Sequence, residues 1–95
     1  MKYTNEMVEN ILRNYYSFDK YSDTDLYEYK IDIDLALKKL SDYSSVLYFT
    51  IVNVFINSKP INDEATDSGV SRMQVNRRLH DGLHLLTMIM NGEIL

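Results

Sequence analysis

Between Ser71 and His80 the chain places Arg72, Arg77 and Arg78 with no acidic residue, and sets Gln74 and Asn76 among them. Arginine forks and glutamine or asparagine amides pair bidentately with guanine and adenine edges, and arginine also grips phosphate. The chemistry this spacing could do is nucleic-acid recognition. The plainer alternative is a solvated helix face, since exposed cations need no further explanation. His80 and His84 stand at i, i+4, the spacing of two zinc ligands on one helix. No glutamate follows His80 and no third ligand is apparent, so both read as exposed polar histidines. Glu28, Asp32 and Asp34 have no base, nucleophile or glycine-rich loop beside them and read as solvated acids. With no catalytic constellation, the expectation is a protein that is not an enzyme and uses no metal or cofactor.

The elements that must position these groups read as helices. One proline and three glycines punctuate 95 residues, too few breakers for a multi-turn β fold. From Thr4 to Tyr16, Val8, Ile11, Leu12 and Tyr15 repeat at i, i+3, i+4, i+7, with Thr4 or Asn5 as cap. Ser17 to Asp25 is polar and reads as a loop. Tyr27 to Ile31 alternates, which suits a short strand or an early helical turn. Ile33, Ala36, Leu37 and Leu40 mark a helix over Asp32 to Leu40, ended by Ser41-Asp42. Tyr43 to Ile56 is apolar nearly all round, as a central bundle helix would be; its β-branched content makes a strand the alternative. Pro60 opens a short helix over Ile61 to Asp67, Gly69 ends it, and Ser71 with Gln74 forms an S-x-x-Q capping box for a last helix running to Met90. Its buried stripe is Val75, Leu79, Leu83 and Leu86; Gly82 costs it about 1 kcal/mol relative to alanine. The fold class is therefore an all-α small single-domain helical bundle, with two helices joined by a glycine turn at helix-turn-helix spacing near the C-terminal end.

Composition bounds the function. The chain has no cysteine, which excludes a disulfide scaffold, an iron–sulfur cluster and a thiolate zinc site. The start MKYTNEMVEN has no apolar signal region, and Tyr43 to Ser58 is too short to span a bilayer, so a cytoplasmic protein without membrane partners is expected. Net charge is −4. Residues 1–58 hold six basic and nine acidic residues, and all eight tyrosines lie between Tyr3 and Tyr48. An acidic, Tyr-rich part at 1–30 thus precedes a part at 31–90 that carries the basic segment.

The stretch from Ile31 to Leu86 resembles the C-terminal promoter-recognition domain, region four, of bacterial RNA polymerase sigma factors. The residues that carry the likeness are Asp34-Leu35-Ala36-Leu37-Lys38-Lys39-Leu40, Val46-Leu47, Gly69-Val70-Ser71, Val75 and Arg78-Leu79-His80-Asp81-Gly82-Leu83. Ile11-Leu12-Arg13-Asn14-Tyr15 is similar to the opening of small phage-encoded sigma-like regulators of bacteria. The resemblance implies a phage or mobile-element transcription regulator that works in a bacterial host's cytoplasm. Its partners would be promoter DNA, RNA polymerase, or both, with the helix from Ser71 in the major groove. Carried over by position, Arg72, Met73, Gln74 and Arg77 would face DNA; the helical wheel points Met73, Gln74, Arg77, His80 and His84 outward and sets Arg72, Asn76 and Arg78 on the flank. Arg78 or Lys59 would hold phosphates.

This chain departs from the family at Glu64 and Ser68, where aliphatic residues are usual. Asp63, Glu64 and Asp67 make the first helix of the pair acidic, and such a helix is expected to repel the phosphate backbone. A second class of function follows from the charge. The helix-turn-helix scaffold could carry an acidic inhibitor that occupies a basic channel on a host or defence enzyme, as DNA mimics and anti-CRISPR proteins do. Asp19, Asp23, Asp25, Glu28, Asp32 and Asp34 would then supply phosphate-like charge. Tyrosines such as Tyr15, Tyr16, Tyr27 and Tyr29 suit core edges or a partner surface. The apolar tail, Met88-Ile89-Met90 with Ile94-Leu95, either packs back on the domain or pairs two chains as a homodimer.

Overall fold

Every element among the described residues is helical, as the sparse breakers require. The computed structural model describes residues 2–20 and 24–93, with side chains for 2–17 and 29–93. Helix α1, Asn5–Arg13, is capped by Thr4, whose Oγ1 accepts from the Met7 N–H at 3.1 Å. Its expected face is buried: Val8, Ile11 and Leu12 all enter the core. The helix stops at Asn14, short of Tyr16. There the Asn14 side chain and backbone N–H both donate to the Asn10 carbonyl, and the chain tightens into a 3-10 segment, Tyr15–Lys20. Part of the expected loop is therefore 3-10 helix.

Helix α2, Thr24–Tyr43, is one continuous element. It absorbs the ambiguous stretch at 27–31 as well as Asp32 to Leu40, so the boundary drawn at residue 30 lies inside a helix. The strand reading fails because Tyr29, Ile33, Ala36, Leu37 and Leu40 recur at helical spacing on one buried or half-buried face. The chain breaks at Ser44, three residues later than the last expected apolar turn. Extended Ser44 (φ −155°) caps helix α3, Ser45–Ile51, by accepting from the Leu47 N–H. A π-helical segment, Val52–Ile56, continues α3. This element is helical, but it is not buried all round. Ile51, Val54, Phe55 and Ile56 enter the core, whereas Val46 and Phe49 stay 50% and 57% exposed.

The π segment closes with the Lys59 N–H on the Asn53 carbonyl, and Ser58 takes the left-handed φ of 59°. Helix α4, Ile61–Ser68, follows Pro60, and Gly69 ends it in the left-handed conformation at φ 68°. The Val70 N–H returns to the Ala65 carbonyl, and extended Ser71 caps helix α5, Arg72–Met90. α5 is the axis of the domain: α1, α2, α3 and α4 all pack on it. The nearest approach is at Gly82, where an added Cβ would stand 2.9 Å from Ile51 Cγ1 of α3. Tyr3 and Asn91 bind the two ends together, the Tyr3 N–H donating to Asn91 Oδ1 at 2.7 Å and Asn91 Nδ2 to the Tyr3 carbonyl at 3.0 Å. No helix of the described residues is long and apolar enough to cross a membrane.

Candidate nucleic-acid interface

The rigid part of the site is the junction of α4 and α5. Ala65, Val75 and Leu79 are buried beneath it and Val70 packs against them, so the turn Gly69-Val70-Ser71 is fixed from below. The Ser71 hydroxyl accepts from the Gln74 N–H at 3.1 Å and fixes the start of α5. With Val75, Leu79, Leu83 and Leu86 turned inward, the expected stripe is the buried one. Arg72, Met73, Gln74, Asn76 and Arg77 then share the exposed face of the first two turns, Met73 being 72% exposed. Five of the six residues expected to face DNA are thus brought together on solvent.

Arg78 is the sixth and differs. It is half-buried and lines a groove with Ser45, Val46, Phe49, Thr50, Asn53, Glu64 and Ser68. Among the described residues, Arg72, Arg77 and Arg78 form no ion pair with any acid. Their charge is free for an external anion. His80 and His84 are exposed, and no group of three metal-ligating side chains lies among the described residues. His80 sits 3.6 Å from Asp81.

Of the three acids of α4, Asp63 and Asp67 are exposed and Glu64 is buried. Glu64 is only 4% exposed and lies in a closed polar network. Its Oε1 accepts from Asn53 Nδ2 at 3.1 Å and pairs with Lys59 Nζ at 3.1 Å, while Oε2 accepts from Ser68 Oγ at 3.2 Å. Lys59 also reaches Asp67 Oδ2 at 2.6 Å. Buried Glu64 has its polarity satisfied by this network, while Ser68 stays exposed. One acid is thus buried, while Asp67, paired to Lys59, and Asp63 both remain on the surface. The expectation for Lys59 is corrected. It is committed to two carboxylates and is not a free phosphate ligand. The hydrogen bonds it donates to Asp67 and then to Glu64 hold its ammonium above the ordinary lysine pKa. Sequence patterning missed this cluster because its members, Asn53, Lys59, Glu64, Asp67 and Ser68, come from three separate segments.

The acidic residues proposed for a protein-binding face are only partly placed. Asp32 and Asp34 lie exposed on α2, and each accepts from a tyrosine hydroxyl, Asp32 from Tyr3 at 2.9 Å and Asp34 from Tyr15 at 2.5 Å. Asp25 and Glu28 belong to α2 and Asp19 to the 3-10 segment, with side chains outside the described set; Asp23 is outside the described residues altogether. Tyr29 stacks edge-on against Tyr3, and Tyr16 is exposed but donates to Asn57 Oδ1 at 2.8 Å. Of the apolar tail, Ile89 packs into the core with Met90 against it, while Ile94 and Leu95 lie outside the described residues. Comparison with known protein families, with curated proteins and with solved structures finds no match for this chain.

Proposed function

We propose that the chain is a small transcription regulator that binds duplex DNA through a helix-turn-helix formed by α4 and α5. The observation that carries the reading is the acid-free first half of α5, where Arg72, Gln74, Asn76 and Arg77 are all exposed and neither arginine has an ion pair among the described residues. In the major groove Arg77 and Gln74 would pair with base edges, while Arg72 near the helix start would meet phosphate. Lys59 offsets one of the three α4 acids and so lowers, without removing, the electrostatic cost of laying that helix along the backbone. The sequence likeness of 31–86 to sigma region four supports promoter DNA as the target and RNA polymerase as a second partner.

The test is selection from a pool of random-sequence duplexes with the purified protein. Recovery of a common short motif, lost with Arg77→Ala, is the expected outcome. A wild-type protein that retains no duplex at low salt contradicts the reading and leaves the acidic-inhibitor class in its place.

A further inference from the structure

Helix α2 keeps an apolar ridge in solvent. Ile31 and Leu35 are 42% and 58% exposed, although the opposite face of the same helix supplies Ile33, Ala36, Leu37 and Leu40 to the core. Beside Leu35 lies a groove of about 180 Å³ between α2 and the end of α5, lined by Asp32, Leu35, Ala36, Lys39, Ile89 and Met90. Four of its six lining side chains are apolar, and the other two are one acid and one base. Asp32 is oriented by the Tyr3 hydroxyl, and Lys39 has no acid partner among the described residues. Ile31 and Leu35 beside this groove make a candidate docking surface.

We propose that the occupant is a second copy of this chain, docked antiparallel on α2 about a two-fold axis through Leu35. The charge pattern is what selects a copy of itself. Asp32 precedes Leu35 by three residues and Lys39 follows it by four, so a two-fold at Leu35 sets each Asp32 opposite the partner's Lys38 and one residue from its Lys39. A surface that is complementary to itself in this way makes an isologous, closed dimer. Leu35 of each copy enters the groove of the other. Ile31, opposite the partner's Lys39, covers its aliphatic stem, leaving the ammonium free to turn toward Asp32. Ile31, Leu35 and Lys39 form one i±4 ridge, and two such ridges interdigitate at a crossing of about 50°. Seven residues from the axis the helices have diverged, so the acidic positions Glu28 and Asp42 stand clear of their symmetry mates. The pairing does not depend on what α5 binds.

Sedimentation velocity of the full chain, from micromolar to near-millimolar concentration, tests it. The expected result is a concentration-dependent shift from 11.2 kDa to twice that mass. Leu35→Glu should hold the protein at monomer mass with its helical circular dichroism unchanged, because Leu35 lies outside the core. Asp32→Lys and Lys39→Asp should each weaken the dimer at least about fivefold, and the two together should restore it, as a charge swap across a two-fold does. Tyr3→Phe controls for the lost Tyr3 hydrogen bond and should leave the dimer intact. A wild type that stays monomeric throughout overturns the proposal, as does a dimer that Leu35→Glu leaves intact.

Discussion

Arg77 and Arg78 are neighbours in sequence with different surroundings. Arg77 stands on the exposed face of α5, and Arg78 leans half-buried into the groove beside Glu64 and Phe49. On the DNA-binding reading, Arg77→Ala should cost about 1–3 kcal/mol of specific binding with little change in stability. Arg78→Ala should lower the melting temperature as well, because its stem packs against neighbouring side chains; parallel titration and thermal melts separate the two. The wheel put Arg78 on the flank, and its burial was not readable there because the groove needs α3 and α4 to form. Ser71 was readable, since a cap and its partner lie within four residues. Ser71→Ala should therefore cost about 1 kcal/mol in chemical denaturation. Ser58 was not singled out. Its left-handed φ of 59° strains a non-glycine residue, so Ser58→Gly should raise the denaturation midpoint by up to about 1 kcal/mol.

At the scale of elements, apolar periodicity marks α1, the core of α2 and α5, because each presents one stripe to a single core, while α4 is marked by Pro60 and Gly69 at its ends. It failed where two criteria competed. The alternation at 27–31 and the β-branched run at 43–56 both admit strands, and the tertiary packing of α2 and α3 on α5 decides for helix. The Val46 and Phe49 exposure was likewise invisible, since α3 is apolar on more faces than the core can cover. Gly82 was read as a tolerated blemish in α5; it is the point at which α3 crosses. Alanine there gains about 1 kcal/mol of helix propensity but presses on the stiff, fully buried Ile51, an overpacking that costs about 1–3 kcal/mol. Gly82→Ala should thus destabilise by about 1 kcal/mol net, where a surface glycine would give a gain of similar size.

For the whole molecule, the ends are joined by the Tyr3–Asn91 pair, and the loop before α4 is joined to it by Lys59. Both links span segments that no local pattern relates. The Lys59 cluster sets a pH response. Its folded pKa lies above the unfolded value, so its stabilisation is fully present below the ordinary lysine pKa and is lost as pH rises through the folded one. Thermal melts from neutral pH to above about pH 10 should show a loss that Lys59→Met removes. The net charge of −4 disfavours DNA at long range, which places the burden of binding on the few free cations of α5. Salt dependence counts them. The most direct measurement is the affinity of wild type and of Arg72→Ala/Arg77→Ala for one duplex across a range of salt concentrations. The account predicts binding that falls linearly with log salt, with a slope smaller by about 2 in the double variant. An unchanged slope, or a wild type that binds no duplex at low salt, would contradict it.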